Sequence, residues 1–142
     1  MGARANRLYF RLQRNAHDLQ KRADRDLQDH CALTTAQAAV LELVRKAPGA
    51  SQRDLARQLG INESAMTGMA GRLESAGLIS RERSDSDGRT IVLNLTARGE
   101  EIVERAREAF APINALIDEA LGQEKAQELS DALDAIASAL RC

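Results

Sequence analysis

The stretch SQRDLARQLGINESAMTGMAGRLESAG, residues 51–77, decides the fold of this chain. Ser51 reads as a helix N-cap, because its hydroxyl can accept from an amide left without a partner in the first turn. Asp54, three residues on, can reach back to the cap amide, and its charge suits the positive helix end. Gly60 supplies the left-handed residue that closes this short helix. Asn62 then caps a second helix, with apolar positions at Ala65, Met66, Met69, Ala70 and Leu73 and an end at Gly77. Leu55, Ala56 and Leu59 of the first helix pack against Met66, Met69 and Leu73 of the second, across the tight link Leu59-Gly60-Ile61. Two short helices joined in this way are a helix-turn-helix.

On the C-terminal side the period changes. LISRER (78–83) and TIVLNLT (90–96) are β-formers around the polar loop SDSDG (84–88). Ile91, Leu93 and Leu95 alternate, as a half-buried strand requires. The pair Asp87-Gly88 suits a hairpin tip that needs positive φ. A two-stranded wing therefore follows the second helix directly. On the N-terminal side, Thr34 with Gln37 forms a capping box for a helix running through Ala38, Val40, Leu41, Leu43 and Val44, which Pro48-Gly49 ends.

Both flanks are helical. Leu8, Leu12, Leu19 and Leu27, with Ala16 and Ala23, keep helical spacing over residues 4–29. Thr96 caps a long region with an apolar stripe from Ile102 and Val103 to Leu116 and Ile117. Pro112 bends or splits it and Gly122 breaks it. Gln123 to Cys142 makes a last amphipathic helix with Leu129, Leu133, Ile136 and Leu140. The expected fold class is mainly α with a two-stranded β wing. It is a winged helix-turn-helix over residues 33–95, flanked by helical segments at 1–32 and 96–142.

The 142 residues suffice for one compact domain, or for one domain with an oligomerisation appendage. Hydrophobic residues make up 44% and charged residues 29%, as in a folded chain rather than a disordered one. No apolar run reaches the roughly 18 residues of a membrane span. The start, MGARANRLYFRLQR, lacks the apolar segment of a secretory leader, so a cytoplasmic location is expected. Cys31 and Cys142 are too few for a disulfide scaffold and too far apart for a metal knuckle. Aromatics are only 2%, which argues against base stacking on exposed rings. The net charge of -1 rules out a uniformly basic coat, yet it hides an uneven distribution. Arg4, Arg7, Arg11, Arg14, Lys21, Arg22 and Arg25 face only Asp18 and Asp24 in the first 25 residues, whereas residues 96–142 carry an acidic surplus. A basic front suits a phosphate surface or a solvated helix face.

In order and spacing, the pieces LTTAQ, LARQLGI, RLESAGLISR and LTARG resemble the MarR family of winged helix-turn-helix transcriptional regulators. The likeness covers nearly the whole chain and is strongest over residues 33–99. It implies a homodimer in which residues 1–32 and 96–142 of both chains interlock. It also implies a double-stranded, pseudo-palindromic operator, with recognition helices in successive major grooves and wings in flanking minor grooves. Many such proteins are repressors released by small anionic or phenolic ligands. No cofactor or metal is implied, no membrane partner, and no catalysis: the chain has neither a paired catalytic constellation nor a cofactor loop.

The resemblance places DNA contacts on particular residues. Asn62, Ser64, Thr67, Gly68 and Arg72 fall on the groove face of the recognition helix or its rim, with Glu63, Ala65 and Gly71. Ser64 and Thr67 carry hydroxyls for phosphate or base edge. Gly68 stands where the family very often has Arg, and Gly71 where Asp is common; two glycines suggest an adaptable reader or reliance on DNA shape. Arg72 can contact a phosphate, or pair with Glu74 or Asp54 as scaffold. In the wing, Asp87 is expected to brace Arg89, and Arg89 to enter the minor groove, where guanidinium is less costly to desolvate than ammonium. Gly88 replaces a common arginine. Arg81 and Arg83 sit at the wing base, for phosphates or as a solvated strand face. Ser51, Gln52 and Arg53 open a helix end whose amides suit a phosphate.

The signal side is fainter. A ligand pocket between the flanking helices and the winged domain would draw on Tyr9, Phe10, Gln13, Arg14, His17 and His30, although each histidine also reads as an ordinary surface or core residue. Cys31 beside His30 raises a thiol-oxidation response as an alternative. The reactive cysteine of the family's peroxide sensors falls near Asn15 or Ala16, where this chain has none. A protein-interaction module on the same scaffold, motivated by Gly68, Gly71 and Gly88, is the other alternative.

Overall fold

The computed structural model describes residues 2–86 and 88–141, with side chains from residue 7 onward. Among the described residues, five helices and three strands follow in the order α1 (Gly2–Cys31), α2 (Thr35–Lys46), β1 (Ala50–Ser51), α3 (Gln52–Leu59), α4 (Glu63–Ser75), β2 (Ile79–Arg83), β3 (Ile91–Leu95) and α5 (Ala97–Leu140). Each N-cap legible in the sequence forms. Thr34 and Gln37 exchange both bonds of the capping box, while Ser51, Asn62 and Thr96 each accept from the amide three residues on. Only half of the box at Ser51 closes. Asp54 makes no return bond among the described residues; its carboxylate stands 3.9 Å from Arg57 instead.

Three features depart from the sequence expectation. The sheet has three strands in the order β1-β3-β2, not two, because Ala50 and Ser51 pair antiparallel with Leu93 and Val92. Two residues carry no alternation to detect, so this strand is invisible to a period count. Pro112 does not split α5; the break falls at Gly122 as expected, at φ 79° and ψ 162°, the one non-helical residue inside the helix. Finally, α1 is ended by Ala32 at φ 56°, a left-handed conformation that glycine usually supplies.

The core lies where α2, α3, α4 and the sheet meet the C-terminal end of α1 and the first half of α5. Leu27, Leu41, Leu55, Met66, Leu73 and Leu93 are its largest fully buried side chains. As expected, Leu55 and Ala56 pack in one core with Met66 and Leu73, with Leu59 and Met69 only partly buried beside them. The register of β2 on β3 pairs Ile79 with Leu95 and Arg83 with Ile91, which projects the loop between them as a wing.

Polar contacts tie the flanking helices to this core. Asp24 of α1 accepts from both the amide and the hydroxyl of Thr35, and these bonds hold its carboxyl below the usual range. Glu42 of α2 accepts from Arg45 at 2.6 Å and from Arg107 of α5 at 3.1 Å. The bond from Arg45, then that from Arg107, outweighs partial burial and lowers the Glu42 pKa from 4.5 to about 2. A carboxyl whose folded pKa lies below its unfolded value stabilises the fold above the unfolded pKa and loses that contribution as pH falls through the folded one. Glu42→Gln is therefore expected to flatten the acid limb of stability between about pH 4.5 and 2. Urea midpoints measured across that range check it; an unchanged acid limb would show that the network contributes nothing.

Candidate nucleic-acid interface

The N-terminal ends of α3 and α4 and the start of β3 enclose an open cleft of about 680 Å³, bordered by Ser51, Arg53, Arg57, Thr67 and Arg89. Local chemistry sets this geometry. Ser51 and Asn62 cap the two helices, and Gly60 at φ 68° closes α3 so that α4 can cross it. A cross-link then fixes the pair. The Gln52 carboxamide donates to the Thr67 hydroxyl at 2.9 Å, and that hydroxyl donates to the Glu63 carbonyl at 2.8 Å. Thr67 is thus engaged in holding α3 on α4. Gln52, which sequence reasoning only placed at a helix start, is the residue that orients it; nothing in its spacing announced this. Arg57 and Thr90 also border the cleft unannounced.

The cations around the cleft rest on partners within the chain. Arg53 pairs with Glu63 at 3.2 Å, with both side chains mostly exposed. Pairs this exposed contribute about 0–1 kcal/mol, so a phosphate can displace the carboxylate at little cost. Arg81 does not stand free at the wing base. It reaches back to Glu74 on α4 at 2.9 Å, which holds the Glu74 carboxyl below its usual range. Arg83 donates to the Gly88 carbonyl at 2.9 Å and so braces the wing tip. Asp87, expected to brace Arg89, lies outside the described residues; Arg89 is exposed on the wing and reaches the cleft.

Ser64, Gly68 and Arg72 line the outer face of α4, all exposed. Neither scaffold pairing expected for Arg72 forms, because Glu74 is taken by Arg81 and the carboxylate of Asp54 stands by Arg57. Among the described residues no carboxylate pairs with Arg72.

A second, smaller cavity of about 230 Å³ lies among α1, α2, α4 and α5, with Leu33, Leu78 and Ile102 as apolar walls and Gln37, Arg72 and Arg98 as polar ones. The residues expected for a ligand pocket sit elsewhere. Tyr9, Phe10, Gln13, Arg14, His17 and His30 are all exposed along α1, and none lines either cavity. Gln13 donates to the Tyr9 hydroxyl at 3.0 Å, and the His30 ring bonds the Asp26 carbonyl. Cys31 does border the smaller cavity, but burial pushes its thiol pKa up, and the thiol donates to the Leu27 carbonyl at 3.3 Å. A peroxide-reactive cysteine needs the opposite shift. Among the described residues no group of three or more acidic, histidine or cysteine side chains is placed to hold a metal, and no helix is long and apolar enough to cross a membrane.

Known proteins share both sequence and architecture with this chain. The MarR family profile matches residues 33–91. The transcriptional regulator FarR of Neisseria gonorrhoeae is 33% identical over 113 residues, covering 80% of this chain and 77% of FarR. The transcriptional repressor CouR, solved bound to a 23-mer DNA duplex, superposes with a TM-score of 0.88 at 31% identity over 96% of each chain. PcaV from Streptomyces coelicolor, solved with its natural ligand, superposes with a TM-score of 0.75 at 26% identity over 94% of this chain and 91% of PcaV. With a capped helix-turn-helix, a wing projecting beside it and these relatives, the chain belongs to the MarR family of DNA-binding transcriptional regulators.

Proposed function

We propose that the chain acts as a homodimeric repressor on a pseudo-palindromic operator, with α4 in the major groove and Arg89 of the wing in the adjacent minor groove. The single observation that carries this is the cleft between the helix-turn-helix and the wing, where Arg53, Arg57 and Arg89 border two capped helix ends. Ser51, Arg53 and Asn62 then position the phosphate backbone, Ser64 and Arg72 face the bases, Thr67 and Arg81 fix α4 from either side, and Arg83 stiffens the wing. Gly68 leaves the groove face low. CouR, solved bound to a DNA duplex, supports a DNA-binding role for this architecture. In a gel-shift assay with the duplex upstream of its own gene, the chain is expected to form a complex that unlabelled copies of that duplex compete away and unrelated duplex does not. Its affinity should fall steeply with salt. Equal competition by unrelated DNA would sink operator reading.

The dimer rests on uncovered apolar surface. Tyr9 and Phe10 near the start of α1 are 58% and 66% exposed, and Leu129, Leu133, Ile136 and Leu140 line the end of α5. Residues 1–32 and 96–142 therefore serve as dimerisation arms around the DNA-binding residues 33–95. Sedimentation at micromolar concentration should give twice the 15.5 kDa chain mass; a stable monomer would overturn this. A small anionic or phenolic molecule relieves repression by entering the smaller cavity, where Gln37 and Arg98 face apolar walls. PcaV, solved with a ligand, supports a ligand site in this architecture. Benzoate, used as a probe, should weaken the operator complex, and Arg98→Ala should abolish that response; an Arg98→Ala protein as sensitive as wild type would remove the cavity from the mechanism.

A further inference from the structure

Two glycines on α4 each lie beneath a guanidinium. A Cβ on Gly68 would stand 3.8 Å from Nη2 of Arg72, and one on Gly71 would stand 3.9 Å from Nη2 of Arg81. Both distances are ordinary contact, so packing does not require glycine at either place. Yet glycine inside a helix costs about 0.5–1 kcal/mol relative to alanine. Stability alone would favour a side chain there. What the bare backbone provides is height: the outer face of α4 is low at 68, and the Arg72 guanidinium folds one turn back to lie over it. Long helical side chains lean toward the N-terminus in this way.

The two guanidiniums differ in commitment. Arg81 is held by Glu74 through Nε and Nη2. Arg72 has no carboxylate partner among the described residues and is exposed on the outer face of α4, at the border of the smaller cavity. We propose that Arg72, laid across the bare backbone of Gly68, is the base-reading fork of this recognition helix, and that Gly68 acts as its platform. Its target is the pair of acceptors on guanine in the major groove, O6 and N7, which the rigid guanidinium fork meets with two fixed donors where a flexible ammonium must be ordered to reach both. This rests on the operator-binding proposal above.

The conservative variant separates base reading from backbone attraction. Arg72→Lys keeps the charge and loses the fork, so it is expected to retain non-specific affinity while losing discrimination at one base pair per half-site by about ten-fold or more. Arg72→Ala should lose the same discrimination together with overall affinity. Gly68→Val, with a β-branched side chain in the space the guanidinium occupies, should copy the loss of discrimination. Gly68→Ala, whose Cβ makes only ordinary contact, should leave it within about two-fold and confirm that the helix tolerates a side chain there. The readout is competition by operators substituted one base pair at a time, with melting curves to verify folding. If Arg72→Lys discriminates like wild type, or Arg72→Ala weakens every sequence equally, Arg72 is a phosphate contact and the inference is overturned. If the arginine variants change only the response to benzoate, the guanidinium serves the cavity and the inference is likewise overturned. A wild type with no preference among sequences instead removes the operator-binding proposal on which this depends.

Discussion

Replacing Gly99 with alanine is expected to cost roughly 3 kcal/mol and to lower the melting temperature by on the order of 10 °C. A Cβ at this position would be driven into the carbonyl oxygen of Leu78, stand 3.0 Å from its carbon, and press on Leu95 at 3.4 Å. The Leu78 carbonyl cannot retreat. It accepts from the Thr96 amide at 3.1 Å, while the Thr96 hydroxyl donates to the neighbouring Gly77 carbonyl and caps α5 through the Gly99 amide at 3.0 Å. The first turn of α5 is therefore bolted to the corner between α4 and β2, and any side chain at 99 must lever the two apart. Because that corner sets the position of the wing relative to α4, DNA affinity should drop along with stability. Gly88→Ala is the control, since a Cβ there meets nothing within 4 Å. Differential scanning calorimetry of the two variants checks the contrast, and equal melting temperatures would show that the corner yields.

Arg89→Ala carries the second large effect. The proposed insertion of Arg89 into a narrow minor groove predicts that operator affinity falls by roughly ten- to hundred-fold. Two wings act in a dimer, so the slope of log affinity against log salt should lessen by about two, near 0.9 for each phosphate charge no longer neutralised. Arg89→Lys should restore the salt slope while recovering only part of the affinity, because ammonium sheds its water less readily. Wild-type affinity in Arg89→Ala would remove the wing from recognition. The fold should be untouched, since Arg89 is exposed and lies outside the hydrophobic core.

Much of the architecture was legible because it is written in local chemistry. Thr34, Ser51, Asn62 and Thr96 are caps by residue type, Gly60 and Gly77 adopt positive φ where helices end, and the change of period after Leu78 marks the strands. The third strand was not legible, because Ala50 and Ser51 are defined by what they pair with rather than by their own pattern. Ala32 ends α1 without the glycine that would have announced it.

The interface divides along the same line. Its cations, Arg57 excepted, could be listed from sequence, but their commitments could not. The pairing of Arg81 with Glu74, the bond from Arg83 to Gly88 and the link from Gln52 to Thr67 all span a turn or a helix crossing. The smaller cavity was missed for a related reason. It is built from the ends of four elements, whereas Tyr9, Gln13, Arg14, His17 and His30 share one exposed helix.

Gly122 has a reach beyond its own helix. At φ 79° and ψ 162° it occupies a region of backbone space essentially reserved for glycine. That one residue sets the direction in which the last stretch of α5 leaves the rest of the chain. In the proposed dimer this arm clasps the partner, so its direction fixes how far apart the two recognition helices stand. Half-sites one helical turn apart require that separation to be about 34–36 Å. In that proposed dimer the distance between the two halves of the operator, counted in base pairs, would be governed from residue 122, which lies outside the surface proposed to read them.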